Sequence, residues 1–171
     1  MALFLCKDLS NLCKAFITYV RPALEYCSPV WSPVSATLVN KLESVQRRFT
    51  KRFPGFQSLP YDERCSLLGI ERLELRRLRA DLILCYKIIK GLVLLPADKF
   101  FTINYNNRTR GHSLKLFLPD SRVNCRQHFF AIRIVNVWNS LPDDVISADE
   151  LPLFIRRLKH VDLHAFLVGK A

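Results

Sequence analysis

Glycine is scarce in this 171-residue chain, and its five copies stand singly. That excludes the glycine-rich loops by which nucleotide-binding folds cradle phosphates. Long hydrophobic runs are missing as well. No stretch approaches eighteen apolar residues, so no membrane-crossing helix and no membrane partner is expected. The opening "MALFLCKD" has too short an apolar core for a signal peptide. The expected location is therefore intracellular, nuclear or cytoplasmic, and not secreted. Paired cysteines are absent too: Cys6, Cys13, Cys27, Cys65, Cys85 and Cys125 lie at wide, irregular spacings with no CxxC or CxC. A zinc site or disulfide framework does not fit, and reduced, mostly buried thiols do.

Acidic side chains are in short supply. Fifteen Asp and Glu face 26 Lys and Arg, a net charge of +11. A balance of this kind points to phosphate-bearing partners, RNA or DNA before acidic lipid. The excess is concentrated in two blocks, residues 41–90 and 99–133, each carrying +6, while 1–40 (+1) and 134–171 (−1) are near neutral. Half the chain is hydrophobic, enough for a real core.

Periodicity predicts a mainly α fold. Apolar residues from Leu9 to Val20 recur at helical spacing, and Pro22 should kink or restart that helix. "SPVWSP" should form a stiff bend with Trp31 packed inward. A helix is expected over 35–53, its stripe being Leu38, Leu42, Val45 and Phe49. A short helix should cover 60–68 and stop at Gly69. The strongest signal is a long helix over 71–90, closed by Gly91. Beyond it, "HSLKLFL" and "RVNCR" read as the two strands of a small β-hairpin around "PDS". Two C-terminal helices follow, over 127–140 and from Asp149 towards Phe166. The segments 1–53, 54–98 and 99–171 divide the chain by character, within one compact unit.

No catalytic apparatus is evident. His160 and His164 stand four apart without a third ligand. Asp143-Asp144 follows "LP" in a turn, which fits a helix start better than a Mg²⁺ pair, and Cys125 with His128 is not a triad. No metal and no cofactor is expected. Basic residues interleaved with aromatics are the better signal. Arg47, Arg48, Lys51 and Arg52 cluster near a helix end, and Arg72, Arg76 and Arg79 line one helix edge. Arg108, Arg110, His112, Lys115, Arg122 and Arg126 sit among Phe117, Phe129 and Phe130. The pattern suits backbone contact with occasional stacking. It equally suits a solvated basic surface.

"YVRPALEYCSPVWSP", "VNKLESVQRRFTKRFPG", "LGIERLELRRLRADLILCYKIIKG", "TRGHSLKLFLP" and "HFFAIRIVNVWNSLPDDV" occur here in one order. In that order they closely resemble the C-terminal portion of reverse transcriptases of LINE-type, non-LTR retrotransposons, jockey-like group. Each string alone is weak; five in register are specific, and they cover nearly the whole chain. The resemblance implies a helical, thumb-like lobe over residues 1–53, followed by the post-polymerase segment. The family's activity is RNA-directed DNA polymerisation. This chain carries no fingers or palm and no Tyr/Phe-Ala-Asp-Asp motif. No catalytic residue transfers, and the expectation is a catalytically incomplete fragment, an open reading frame cut from a longer element. The missing palm and fingers would be its natural partners. Two other readings stand beside it: a structural remnant without activity, and a basic helical host DNA-binding domain.

Overall fold

The computed structural model describes residues 9–104 and 111–169. The fold is mainly α, as the periodicity predicts. Two compact units are present: residues 1–77 with 167–171, and residues 78–166. Their boundary falls between Arg77 and Leu78.

In the first unit, α1 (Leu9–Ala15) runs into a π-helical turn, Phe16–Val20, and then α2 (Arg21–Glu25). The cause is Pro22. It has no N–H to donate and its ring clashes with the carbonyl four residues back, so the preceding turn widens. The Arg21 N–H accordingly bonds to Phe16 O, five residues back. Cys27, at φ 53°, reverses the chain into the single turn α3 (Ser28–Trp31). Trp31 does not pack inward: it is 40% exposed, and its indole Nε1 donates to Tyr26 O at 2.6 Å. That bond fixes the corner from the solvent side.

Helix α4 (Ala36–Thr50) starts at Ser35, whose hydroxyl accepts from Leu38 N. Its buried face is Val39, Glu43, Gln46 and Thr50, one residue on from the apolar stripe read from the sequence. Leu38 is half exposed. The inward face is polar because α5 (Tyr61–Leu67) and the start of α6 (Leu73–Ile89) present donors to it. Glu43, fully buried, accepts from Tyr61 Oη at 2.5 Å and from the N–H groups of Leu73 at 3.0 Å and Glu74 at 3.2 Å. Those two amides belong to the first turn of α6, where no intrahelical acceptor exists. Gln46 Nε2 donates to Tyr61 Oη and Glu71 O, both at 2.9 Å. Glu74 in turn takes the amides of Val168 and Gly169, and Arg72 donates to Gly169 O at 2.8 Å.

The second unit packs around Trp138, Tyr86 and Phe154, the last two stacked at 4.2 Å. It contains α7 (Ala97–Phe100), α8 (Asn124–Gln127), α9 (Phe130–Arg133), α10 (Val135–Ser140), α11 (Asp143–Ile146), α12 (Leu151–Leu158) and a 3₁₀ turn at His164–Phe166. The expected helix over 127–140 is thus two short pieces, α9 and α10, with α8 ending where it was to begin. Phe130, Ile134, Val137 and Trp138 are all buried, as their spacing predicts.

The hairpin is corrected. "RVNCR" is not a strand, since α8 begins at Asn124. The "HSLKLF" segment instead meets the chain upstream of it, through an antiparallel bridge between Ile103 and Leu116. Asn104 N donates to Lys115 O at 2.7 Å, and Phe117 N to Thr102 O at 2.8 Å. Three more of its backbone groups are met by side chains of α10. Asn139 bonds both the N–H and the C=O of Leu116, and Trp138 Nε1 donates to Leu114 O, each at 2.8 Å. Part of the segment's backbone is therefore paired without a neighbouring strand.

Candidate nucleic-acid interface

The thirteen basic positions singled out in the sequence separate by burial. In the first unit, Arg48, Lys51 and Arg52 are exposed at the C-terminal end of α4. None of the three meets a carboxylate among the described residues. Arg47 turns the other way: its guanidinium lies 5.0 Å from the centre of the Tyr61 ring, and Nη2 reaches Asn40 Oδ1 at 3.4 Å. Arg64, which the sequence reading passed over, is buried at 5.6 Å from the same ring.

Arg72 is buried and pairs with Glu74 at 3.5 Å and Asp62 at 3.7 Å. Arg76 forms a two-pronged pair with Glu25, Nε to Oε1 at 2.5 Å and Nη2 to Oε2 at 3.0 Å. Hydrogen bonding to Glu25 raises the Arg76 pKa above its ordinary value. Burial, then the charge of Arg76, lowers that of neighbouring Arg21. Both Arg72 and Arg76 are thus tied to carboxylates of their own unit.

Beside the α4 basic end runs an apolar cleft of about 390 Å³ between the π turn and α4. Phe16, Tyr19, Phe49 and Phe53 line it, with Arg52 at its rim. Phe16 and Phe49 stack at 4.2 Å.

In the second unit, Arg79 is half-buried and donates to Lys159 O at 3.3 Å. Arg108 and Arg110 lie outside the described residues. His112 is buried: it is 3% exposed, its Nε2 donates to Trp138 O at 3.1 Å, and its ring meets Trp138 edge to face. Burial, with Lys115 adding to it, holds its pKa below the ordinary histidine value. Lys115 is half-buried. Arg122 and Arg126 are exposed.

Around Arg126 the chain forms a second, shallower cleft of about 380 Å³. Lys99, Phe100, Pro119, Cys125, Arg126 and Phe129 line it. Phe100 and Phe129 are nearly parallel, 20° apart, with centroids 6.4 Å from each other. The turn carrying Phe129 is fixed by Arg133, which bonds Asp81 through Nε and Nη2 and His128 O through Nη1. Lys99 and Phe100 were missed in the sequence; the string "KFF" at 99–101, opening the second basic block, was the available signal.

Among the described residues no group of His, Cys, Asp and Glu is placed to hold a metal ion, and no helix is long and apolar enough to cross a membrane. Cys13, Cys65 and Cys85 are buried free thiols, while Cys27 and Cys125 are exposed ones. Comparison with protein-family models, with curated proteins and with solved structures finds no match.

Proposed function

We propose that this chain binds RNA or DNA through the phosphate backbone, as the thumb and post-polymerase portion of a non-LTR retrotransposon reverse transcriptase would. In this reading the chain carries no polymerisation step of its own, and the palm and fingers of such an enzyme are its natural partners. One observation supports it most. Arg72 and Arg76 are committed to carboxylates, whereas Arg48, Lys51, Arg52, Arg122 and Arg126 remain exposed. A solvated basic surface needs no such sorting, but a phosphate-binding one needs cations left available.

Binding of this kind is electrostatic and nearly independent of sequence. Affinity should fall at least tenfold between about 50 and 200 mM salt. Replacing Arg48, Lys51 and Arg52 by Gln removes three charges at little cost in helix propensity. It should flatten the log–log salt slope by up to about three units. The same exchange at exposed Lys14, Arg156 and Lys159 is the control and should change it little. Equal losses from both sets would mean that net charge alone attracts the polymer. No binding at low salt by the folded chain would sink the proposal in favour of a structural remnant.

A further inference from the structure

We infer that the cleft between α7 and the α8–α9 turn is a stacking site for an unpaired nucleobase, so that single strands bind there in preference to duplex. The inference rests on the backbone-binding reading and adds a place and a strand state to it. Three observations carry it. The first is the ring geometry: Phe16–Phe49 and Tyr86–Phe154 stack directly at 4.2 Å, but Phe100 and Phe129 stand 6.4 Å apart while nearly parallel. An offset of this size leaves part of each ring face uncovered, and Phe129 is 50% exposed. A flat base has a face to lie on, and every base has one.

The second is charge. Lys99 and Arg126 line the cleft, Arg122 is exposed four residues before Arg126, and among the described residues no carboxylate lines it. A phosphate attached to the stacked base meets cations, not repulsion. The third is rigidity. Arg133, held by the buried Asp81 carboxylate, bonds the His128 carbonyl and fixes the residue before Phe129. Gln127 Nε2 likewise donates to Ser121 O at 2.7 Å. An aromatic on a fixed turn loses little freedom when it stacks. A duplex cannot use the site, because its bases already stack on one another.

Cys125, an exposed thiol within the cleft, reports occupancy without any substitution. The test is alkylation of the unmodified chain, read peptide by peptide, with a saturating oligouridylate of about a dozen nucleotides or with duplex of equal length. Cys27, exposed in the other unit, is the internal reference. Labelling of Cys125 should slow several-fold with the single strand, and less with duplex, while Cys27 is unchanged. In parallel, Phe129→Leu keeps an apolar side chain but removes the ring. It should weaken single-strand binding about five- to a hundredfold and leave duplex binding as it was. Cys125 labelling that is indifferent to saturating single strand overturns the inference. So does equal protection by both polymers with no loss in F129L. If either result comes with steeply salt-dependent binding, the backbone reading survives. If neither polymer binds at low salt, that reading fails too.

Discussion

Glu43 ties three donors together inside the first unit, and its removal should be costly. It is fully buried, and its two oxygens serve the Tyr61 hydroxyl and the first two amides of α6. Glu43→Ala strands three donors in a dry interior. Each buried, unpaired donor costs about 1–3 kcal/mol. Water entering the vacated space offsets part of that, leaving a loss of about 3–5 kcal/mol, a large share of the ~5–15 kcal/mol that stabilises a typical domain. Glu43→Gln keeps the shape and one acceptor oxygen but turns an amide NH₂ toward a donor, and should cost about 1–3 kcal/mol. Urea unfolding followed by far-UV circular dichroism gives the total. Hydrogen exchange locates it: the Leu73 and Glu74 amides should lose protection first. Tyr61→Phe should add little once Glu43 is alanine, with a coupling of about 1–2 kcal/mol in the double-mutant cycle. A loss below about 1 kcal/mol for Glu43→Ala, with Leu73 and Glu74 still protected, would refute the assignment of Glu43 as the cap of α6.

Two further outcomes can be measured by the same unfolding assay. Because the folded chain holds His112 below the ordinary pKa near 6.5, the native state binds fewer protons than the unfolded one as pH falls. Stability should therefore be full above about pH 6.5 and decline below it by up to about 1.4 kcal/mol per pH unit, and His112→Gln should flatten that limb. At Gly169 an added Cβ would lie 2.6 Å from Glu74 Oε2 and 2.9 Å from Val39 Cγ1. Gly169→Ala should thus displace the C-terminal segment from Glu74 and cost about 1–2 kcal/mol, and an unchanged midpoint would show that this segment contributes nothing.

Helix positions were legible wherever they rested on local chemistry. Gly69 and Gly91, both at positive φ, stop α5 and α6 where the sequence places them, and Pro22 disrupts its helix where expected. What the sequence hid were partners far along the chain. On α4 the apolar spacing of Leu38, Leu42, Val45 and Phe49 is genuine, yet the buried face is Val39, Glu43, Gln46 and Thr50. Glu43 is buried because its donors, at Tyr61, Leu73 and Glu74, arrive 18 to 31 residues later. Periodicity scores a carboxylate as solvent-facing and has no means of seeing a helix start brought against it. The "HSLKLF" segment was misassigned for a related reason. Alternation announces an extended strand but not whose groups complete its hydrogen bonds, and here three of them come from the side chains of Trp138 and Asn139.

The candidate interface divides along the same line. A run of arginines at helical spacing shows that charges share an edge, but it does not show which of them have carboxylates waiting. Arg76 and Arg48 look alike in sequence, each within a dense basic stretch. Arg76 faces Glu25, 51 positions earlier, and becomes an internal tie; Arg48 faces solvent. An ion pair on the surface is worth little, so losing an exposed arginine should leave stability almost untouched. Losing Arg76 leaves Glu25 four-fifths buried without its counter-charge, which is expensive. Basic residues that matter for folding and those available for phosphate are therefore separable by experiment even where they are not by pattern. Arg76→Gln should lower the unfolding midpoint while the charge still available to a polymer hardly changes. Arg48→Gln should do the reverse, lowering affinity at low salt in a chain as stable as before. Were both to lower stability equally, the division of the arginines drawn here, and with it the chief support for the backbone-binding proposal, would fall.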